Sequence, residues 1–141
     1  MRDTMLRQQR DFALFASYQE ALKTMSFNTQ KEAIDHVLSS PAPQWFVSRE
    51  FCAAVISSRL RGKDHYKMSR TKRRKFDALF ELYRKMREHE PYRSMCHLDL
   101  CEALVALPAP EWFLGYDAAS KIIWKQVHLR HEQVARRYGG K

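Results

Sequence analysis

Glycine and proline are scarce in this 141-residue chain, with four and five residues respectively, which argues against an all-β fold built on tight turns. Cysteine is scarcer still. Cys52, Cys96 and Cys101 form an odd, sparse set that points to a reducing compartment rather than a disulfide scaffold. The longest uncharged stretches carry Pro, Ser or Gln and fall short of the ~18 apolar residues that suggest a membrane-spanning helix. Met1 to Arg10 carries charges with no apolar run behind them, which is not the pattern of a signal peptide. The sequence also lacks G-x-x-x-x-G-K, G-x-G-x-x-G, D-x-D and H-E-x-x-H. With only Gly62, Gly115, Gly139 and Gly140 available, a phosphate-cradling loop is excluded. The expectation is a non-catalytic protein with no cofactor, no small-molecule substrate and no membrane partner.

What is present is enough apolar residue, 45%, to build a core, so the chain is not a disordered basic tail. Its length is that of one ordinary domain or two very small ones. Twenty-five Lys and Arg against sixteen Asp and Glu leave a net charge of +9. The expected setting is intracellular and cytoplasmic, with nucleus or nucleoid also compatible.

The chain repeats itself. Pro41-Ala42-Pro43-Gln44-Trp45-Phe46-Val47 returns as Pro108-Ala109-Pro110-Glu111-Trp112-Phe113-Leu114, with five of seven positions identical at an offset of 67. At the same offset Glu50 falls on Asp117, Val55 and Ile56 on Ile122 and Ile123, Val37-Leu38 on Leu104-Val105, and Asp35 on Glu102. Further upstream, Ala13-Leu14-Phe15-x-x-Tyr18 returns as Ala78-Leu79-Phe80-x-x-Tyr83 at an offset of 65. Matched blocks in the same order predict an internal duplication.

Both copies read as helix. Residues 3 to 24 place Phe12, Phe15, Ala16 and Gln19 at helical spacing, with Tyr18, Leu22 and Met25 widening the apolar face. Thr29 and Glu32 form the T-x-x-E capping box of a second helix, which must stop before Pro41. Ser48, with Glu50 in the following turn, opens a third helix ending near Gly62. In the second copy the spacing predicts helices over about 70–89, with Phe76, Leu79, Phe80, Tyr83 and Met86 on one side, and over about 95–106. A last helix over about 116–137 turns Ala119, Ile122, Ile123 and Val127 inward. The expected fold is all-α: two tandem three-helix units, residues 1–60 and 76–141, joined by a basic linker over 61–75, or one compact domain overall.

Each Pro-Ala-Pro segment is a stiff extended connection. The adjacent aromatic pairs Trp45-Phe46 and Trp112-Phe113 are expected to plug the helices together. The alternative is that one Trp of each pair stacks on a base or docks a partner chain.

The charge is local. Residues 59–75 hold nine bases (Arg59, Arg61, Lys63, Lys67, Arg70, Lys72, Arg73, Arg74, Lys75) and one acid, Asp64, for +8. Residues 121–141 add six bases, including Lys121, Lys125, Arg130, Arg136 and Arg137, against Glu132, for +5. All other residues sum to −4. Cations crowding the start of the helix at 70 oppose its dipole, each at a cost of up to about 1 kcal/mol, so an anionic partner is expected to offset them. Nucleic acid, DNA or RNA, is the natural choice, because each neutralised phosphate releases a counterion. His65 and Tyr66 sit among the bases, where they can stack on exposed bases or lie on sugar. Arg70, Arg73 and Arg74 share a face, and reversing their charge is expected to abolish binding without loss of stability. Competing readings of the basic run are a nuclear-localisation patch, an anionic membrane surface, and an acidic protein partner. The alternative function is a protein–protein adaptor or accessory subunit of a larger assembly, docking through the Trp-Phe segments or the N-terminal helix.

In outline each copy, most clearly Thr29 to Leu60, resembles a helix-turn-helix module: a packing helix, a capped short helix, a connection, and a helix opened by a Ser cap. The connection of at least seven residues exceeds the three or four of that motif, and Arg49 is the one base-reading candidate at the start of 49–60. In the second copy Tyr116, Asp117 and Ser120 occupy that end. The resemblance therefore implies backbone-dominated binding rather than base readout. Cys96-His97, Cys101 and His128-x-x-His131 offer metal ligands, but no second C-x-x-C accompanies them and Cys101 falls on Ile34 in the repeat, which favours a core cysteine over zinc.

Overall fold

The computed structural model describes residues 2–63 and 66–138. It is all-helical, with no strand among the described residues. The helices are α1 (Arg2–Thr24), α2 (Gln30–Leu38), α3 (Arg49–Leu60), α4 (Arg70–Met86), α5 (His97–Val105) and α6 (Tyr116–Tyr138), with a short 3₁₀ turn at Tyr92–Ser94. No helix is long and apolar enough to cross a membrane, among the described residues.

The helix starts follow from side chains that satisfy orphan amides. Thr29 Oγ1 accepts from the Glu32 amide at 3.1 Å while Glu32 accepts from the Thr29 amide at 3.2 Å, closing the capping box. Ser48 accepts from the Phe51 amide at 3.1 Å and Ser69 from the Lys72 amide at 3.2 Å. α3 ends where Gly62 takes the left-handed conformation, φ +72°, with the Lys63 amide turning back to the Ser58 carbonyl at 2.9 Å. Only glycine adopts that geometry without a steric cost.

The two Pro-Ala-Pro segments meet each other. Ala42 and Ala109 form an antiparallel bridge, each amide donating to the other's carbonyl at 3.0 Å. The flanking prolines have no N–H, so the pairing cannot spread into a ladder. Beyond the bridge the aromatics cross: Trp45 stacks on Phe113 with ring centroids 5.6 Å apart, and Phe46 on Trp112 at 5.8 Å. Phe46 and Phe113 hold positive φ values of 55° and 54°, a cost of order 1–3 kcal/mol each for a bulky residue. Each connection also reaches the end of a distant helix. The Trp45 amide donates to Val105 at the end of α5, and the Trp112 amide to Leu38 at the end of α2, at 3.4 and 3.3 Å.

Packing follows this crossing. α6 lies against α1 and α2, while α3 lies against α5, and α5 against α4. α3 and α6, the helices that follow the two Pro-Ala-Pro segments, thus pack on helices distant in the chain. One core results, with Leu14, Ile34, Ile56, Phe76, Leu79, Leu100, Leu104 and Ile123 fully buried. In α4 the buried positions are Phe76, Leu79, Tyr83 and Met86, with Phe80 half-buried.

The face expected for α1 is corrected. Leu14, Tyr18 and Ala21 are buried, whereas Phe12 is 70% exposed and Ala16, Leu22 and Met25 are also exposed. The helix is apolar on more than one side, so periodicity alone favoured the larger aromatic over the stripe that meets α2 and α6.

Trp45 and Trp112 are 2% and 4% exposed, so neither indole is available to stack on a base or dock a partner. Neither indole N–H has a protein hydrogen-bond partner. Trp45→Ala and Trp112→Ala are each expected to lose about 3–5 kcal/mol of stability, read from the urea midpoint. Phe12→Ala should stay within about 0.5 kcal/mol. Equal losses at all three positions would contradict this division of inside from outside.

Candidate nucleic-acid interface

The basic segment 59–75 spans the end of α3, a connection, and the first turns of α4. Arg61, Lys63, Lys67 and Arg70 are exposed, and none has an ion-pair partner among the described residues. Lys72 is exposed as well, with its ammonium 5.3 Å from the centre of the Phe51 ring. The remaining bases are engaged. Arg59 pairs with Asp77 at 2.6 Å, Arg73 has a partner of its own, and Arg74 pairs with Glu111 and lies over the Phe113 ring. Of Arg70, Arg73 and Arg74, then, two have partners within the protein. No acid stands in the first turn of α4, so Arg70 and Lys72 oppose the helix dipole there.

Tyr66 is half-buried, its ring nearly perpendicular to that of Phe51 with centroids 5.6 Å apart. Asp64 and His65 lie outside the described residues.

The bases of α6 sit apart from this segment. Lys121 and Lys125 are exposed on the solvent side, and Arg136 and Arg137 lie on the fully exposed last turns. Arg137 lies over the Tyr138 ring. Arg130 lines a groove between α1 and α6 with Phe12, Phe15 and Leu129. The structure therefore distributes the expected bases over two helix pairs, α3/α4 and α1/α6. Arg49, at the start of α3, is held by Glu50 at 2.8 Å and by Glu102 at 2.9 Å, which occupies its guanidinium within the protein.

Sequence reasoning missed two further cations. Arg7 and Arg10 of α1 meet Lys72 and Lys75 of α4 around a cavity of about 280 Å³ at the start of α3, with Ser48, Phe51 and Phe76 in its walls. Lys75 is half-buried here rather than free on the surface. Its ammonium is held down to about 8, first by burial and then by the charges of Arg10 and Lys72. A signal was present. At the offset of 65 that aligns Leu14 with Leu79, Arg7 and Arg10 fall on Lys72 and Lys75.

Of the residues considered for chemistry, His97, Cys52 and Cys101 pack within the fold, whereas His128 and His131 are exposed on α6. His97 bonds the Tyr83 hydroxyl through Nδ1 at 2.9 Å and the Ala53 carbonyl through Nε2 at 2.8 Å. Arg87 braces the same corner through the carbonyls of Tyr92 and Met95. Cys52 and Cys101 are buried and Cys96 is exposed. The Cys52 thiol, hydrogen-bonded to Cys101 and desolvated, is held well above the usual thiol range. Among the described residues no group of three or more His, Cys, Asp or Glu converges as a metal site would require. No known protein family, curated protein or solved structure matches the chain.

Because the folded-state value of Lys75 lies below its ordinary 10.5, the unfolded chain binds more protons between about 8 and 10.5, and stability rises with pH across that window. Lys75→Met should be the more stable protein at pH 7, by on the order of 1 kcal/mol for a half-buried group, and should lose that part of the rise. Melting temperatures of the two proteins compared from pH 7 upward check this. A variant less stable at pH 7 would show that the ammonium is compensated after all.

Proposed function

We propose that this protein is a non-catalytic nucleic-acid-binding protein that grips the phosphate backbone through the α3–α4 edge, with the bases of α6 extending the footprint. The observation that carries this reading is the run of exposed cations without ion pairs among the described residues, Arg61, Lys63, Lys67 and Arg70, continued by Lys72. A surface that serves only solubility mixes both signs. Here the bases are concentrated around a helix start where they oppose the dipole. Arg49, the one candidate for base readout at the start of α3, is tied to two carboxylates, which favours backbone and shape over sequence.

Within the same reading, the chain is two tandem three-helix copies from an internal duplication, helix-turn-helix-like in outline, that exchange their third helices. The reciprocal contacts support it: Ala42 with Ala109, Trp45 with Phe113, and Phe46 with Trp112. Contacts that run both i to j and j to i are those of a local two-fold relation.

A second reading, an adaptor or accessory subunit of a larger assembly, is favoured by one observation. The groove between α1 and α6 leaves Phe12 largely exposed beside Leu129, which is 42% exposed. An apolar dock there would bind with little salt dependence, whereas phosphate contacts weaken steeply with salt.

Titrating the protein into labelled duplex DNA, single-stranded DNA and structured RNA at two salt concentrations tests the proposal and selects the substrate. Replacing Arg61, Lys63, Lys67 and Arg70 together by Ala should weaken binding and flatten the duplex salt slope by about 0.9 for each phosphate that is no longer neutralised. The melting temperature should stay where it was, since these four side chains bond no other described residue. Unchanged binding by the quadruple variant would remove this surface from the interface.

A further inference from the structure

The cavity where α1, α4 and the start of α3 meet has an unusual charge balance. Arg7 and Arg10 stand three residues apart on α1, and Lys72 and Lys75 three apart on α4, so each helix turns one face of two cations into the same space. Against these four, the one described carboxylate bonded to any of them is Asp11, on Arg10 at 2.9 and 3.1 Å. No described carboxylate lies within ion-pair distance of Arg7, Lys72 or Lys75. Phe51 and Phe76 form apolar walls, which strengthens the mutual repulsion by keeping the local dielectric low. Ser48 lines the cavity at the start of α3. Its oxygen accepts from the Phe51 amide, leaving the hydroxyl proton available to donate.

These features together describe a receptor for a small polyvalent anion. A single carboxylate brings one charge and two oxygens, too little for four cations. An internal phosphodiester brings one charge and must continue into chain on both sides. At about 280 Å³ the space lies at or below the ~300–1,000 Å³ typical of small-molecule sites, which suits a single group rather than a whole nucleotide. We infer that this cavity binds a phosphate group as its dianion, a strand-end phosphomonoester or inorganic phosphate, between Arg7 and Arg10 of α1 and Lys72 and Lys75 of α4. The donors are charged and approach from two helices, the arrangement that gives phosphate its strongest hydrogen bonds. The partial positive charge at the start of α3 adds to them. The inference goes beyond the nucleic-acid reading, because inorganic phosphate tests it alone.

The test uses the full chain. Inorganic phosphate, titrated near pH 7.5 against potassium chloride at matched ionic strength, should raise the melting temperature by several degrees. Lys23→Met, an exposed lysine at the far end of α1, should respond like the unmodified protein, and Lys75→Met should not respond. A melting temperature of Lys75→Met at or above that of the parent, without phosphate, separates loss of the site from loss of the fold. No phosphate effect beyond that of chloride, or an equal effect in Lys75→Met, overturns the inference.

The source is read from oligonucleotides of one sequence carrying a 5′-phosphate or a 5′-hydroxyl. A preference of roughly tenfold for the phosphorylated strand, abolished in Lys75→Met, assigns the cavity to a strand end. Equal affinity alongside a positive phosphate response assigns it to free phosphate. The quadruple surface variant, which keeps all four cavity cations, should retain the phosphate response even if it no longer binds nucleic acid, so the two readings can fail separately.

Discussion

The rest of the architecture depends on the crossing of the two Pro-Ala-Pro segments. Prolines on both sides of Ala42 and of Ala109 leave one amide in each segment free to pair, so the two connections touch at a single reciprocal bridge. Past the bridge, the left-handed turns at Phe46 and Phe113 send each aromatic pair over to the other side. Trp45 then covers Phe113, and Phe46 covers Trp112. Two bulky residues at positive φ carry a real conformational cost, and the burial of Trp45, Trp112 and Phe113, with Phe46 half-buried against them, offsets it. Because the two connections lead into α3 and α6, the crossing places α3 on α5 and α6 on α1 and α2.

That packing has an electrostatic consequence. The start of α3 lies at a cavity lined by α1 and α4, and each of those helices carries a pair of cations into it. A pair that would be an ordinary solvated stripe on one isolated helix becomes half of a four-cation cavity when α1 and α4 line the same space. Further along α4, Arg74 is taken up by Glu111 and Phe113 of the opposite connection. Its equivalent on α1, at the same offset of 65, is Gln9, which lies near Gln44 at the mouth of another groove. The charge there belongs to α4 alone.

Much of the helical content was legible in the sequence, because it is written in local chemistry. Thr29 with Glu32, Ser48, Gly62 and the prolines each mark a helix end through the amide or carbonyl they satisfy or remove. The buried stripe of α4 was legible for a different reason: Phe76, Leu79, Tyr83 and Met86 are apolar against a strongly charged background. α1 lacks that contrast, and Phe12 misled. The repeat held the remedy, since Leu14, Tyr18 and Ala21 align with Leu79, Tyr83 and Met86, while Phe12 aligns with the exposed Asp77. What no local signal contains is the pairing of helices across the crossing. It depends on contacts between residues more than sixty positions apart, such as Ala42 with Ala109. The cavity was missed for the same reason. Arg7 and Arg10 sit in a segment of ordinary net charge, and only the fold brings them to Lys72 and Lys75.

The basic residues divide by what the fold asks of them. Arg59, Arg74 and Arg87 are tied to carboxylates, carbonyls or ring faces, and their charge is satisfied inside the molecule. The side chains of Arg61, Lys63, Lys67 and Arg70 bond no described residue, and the cluster around Lys75 is mutually repulsive. At Lys75 the charge costs the fold stability rather than adding to it. An apolar residue at 75 would pack against Phe51 and Phe76, and an acid at 72 would favour both the α4 dipole and its neighbours. Local rules broken without a structural gain are expected at functional sites. In this chain the breaks coincide in one place: the start of α4, the face of α1 opposite it, and the free edge beside them all carry the same sign. On the function proposed above, binding an anion would relieve each of these conflicts together, which a solubility coat would not do.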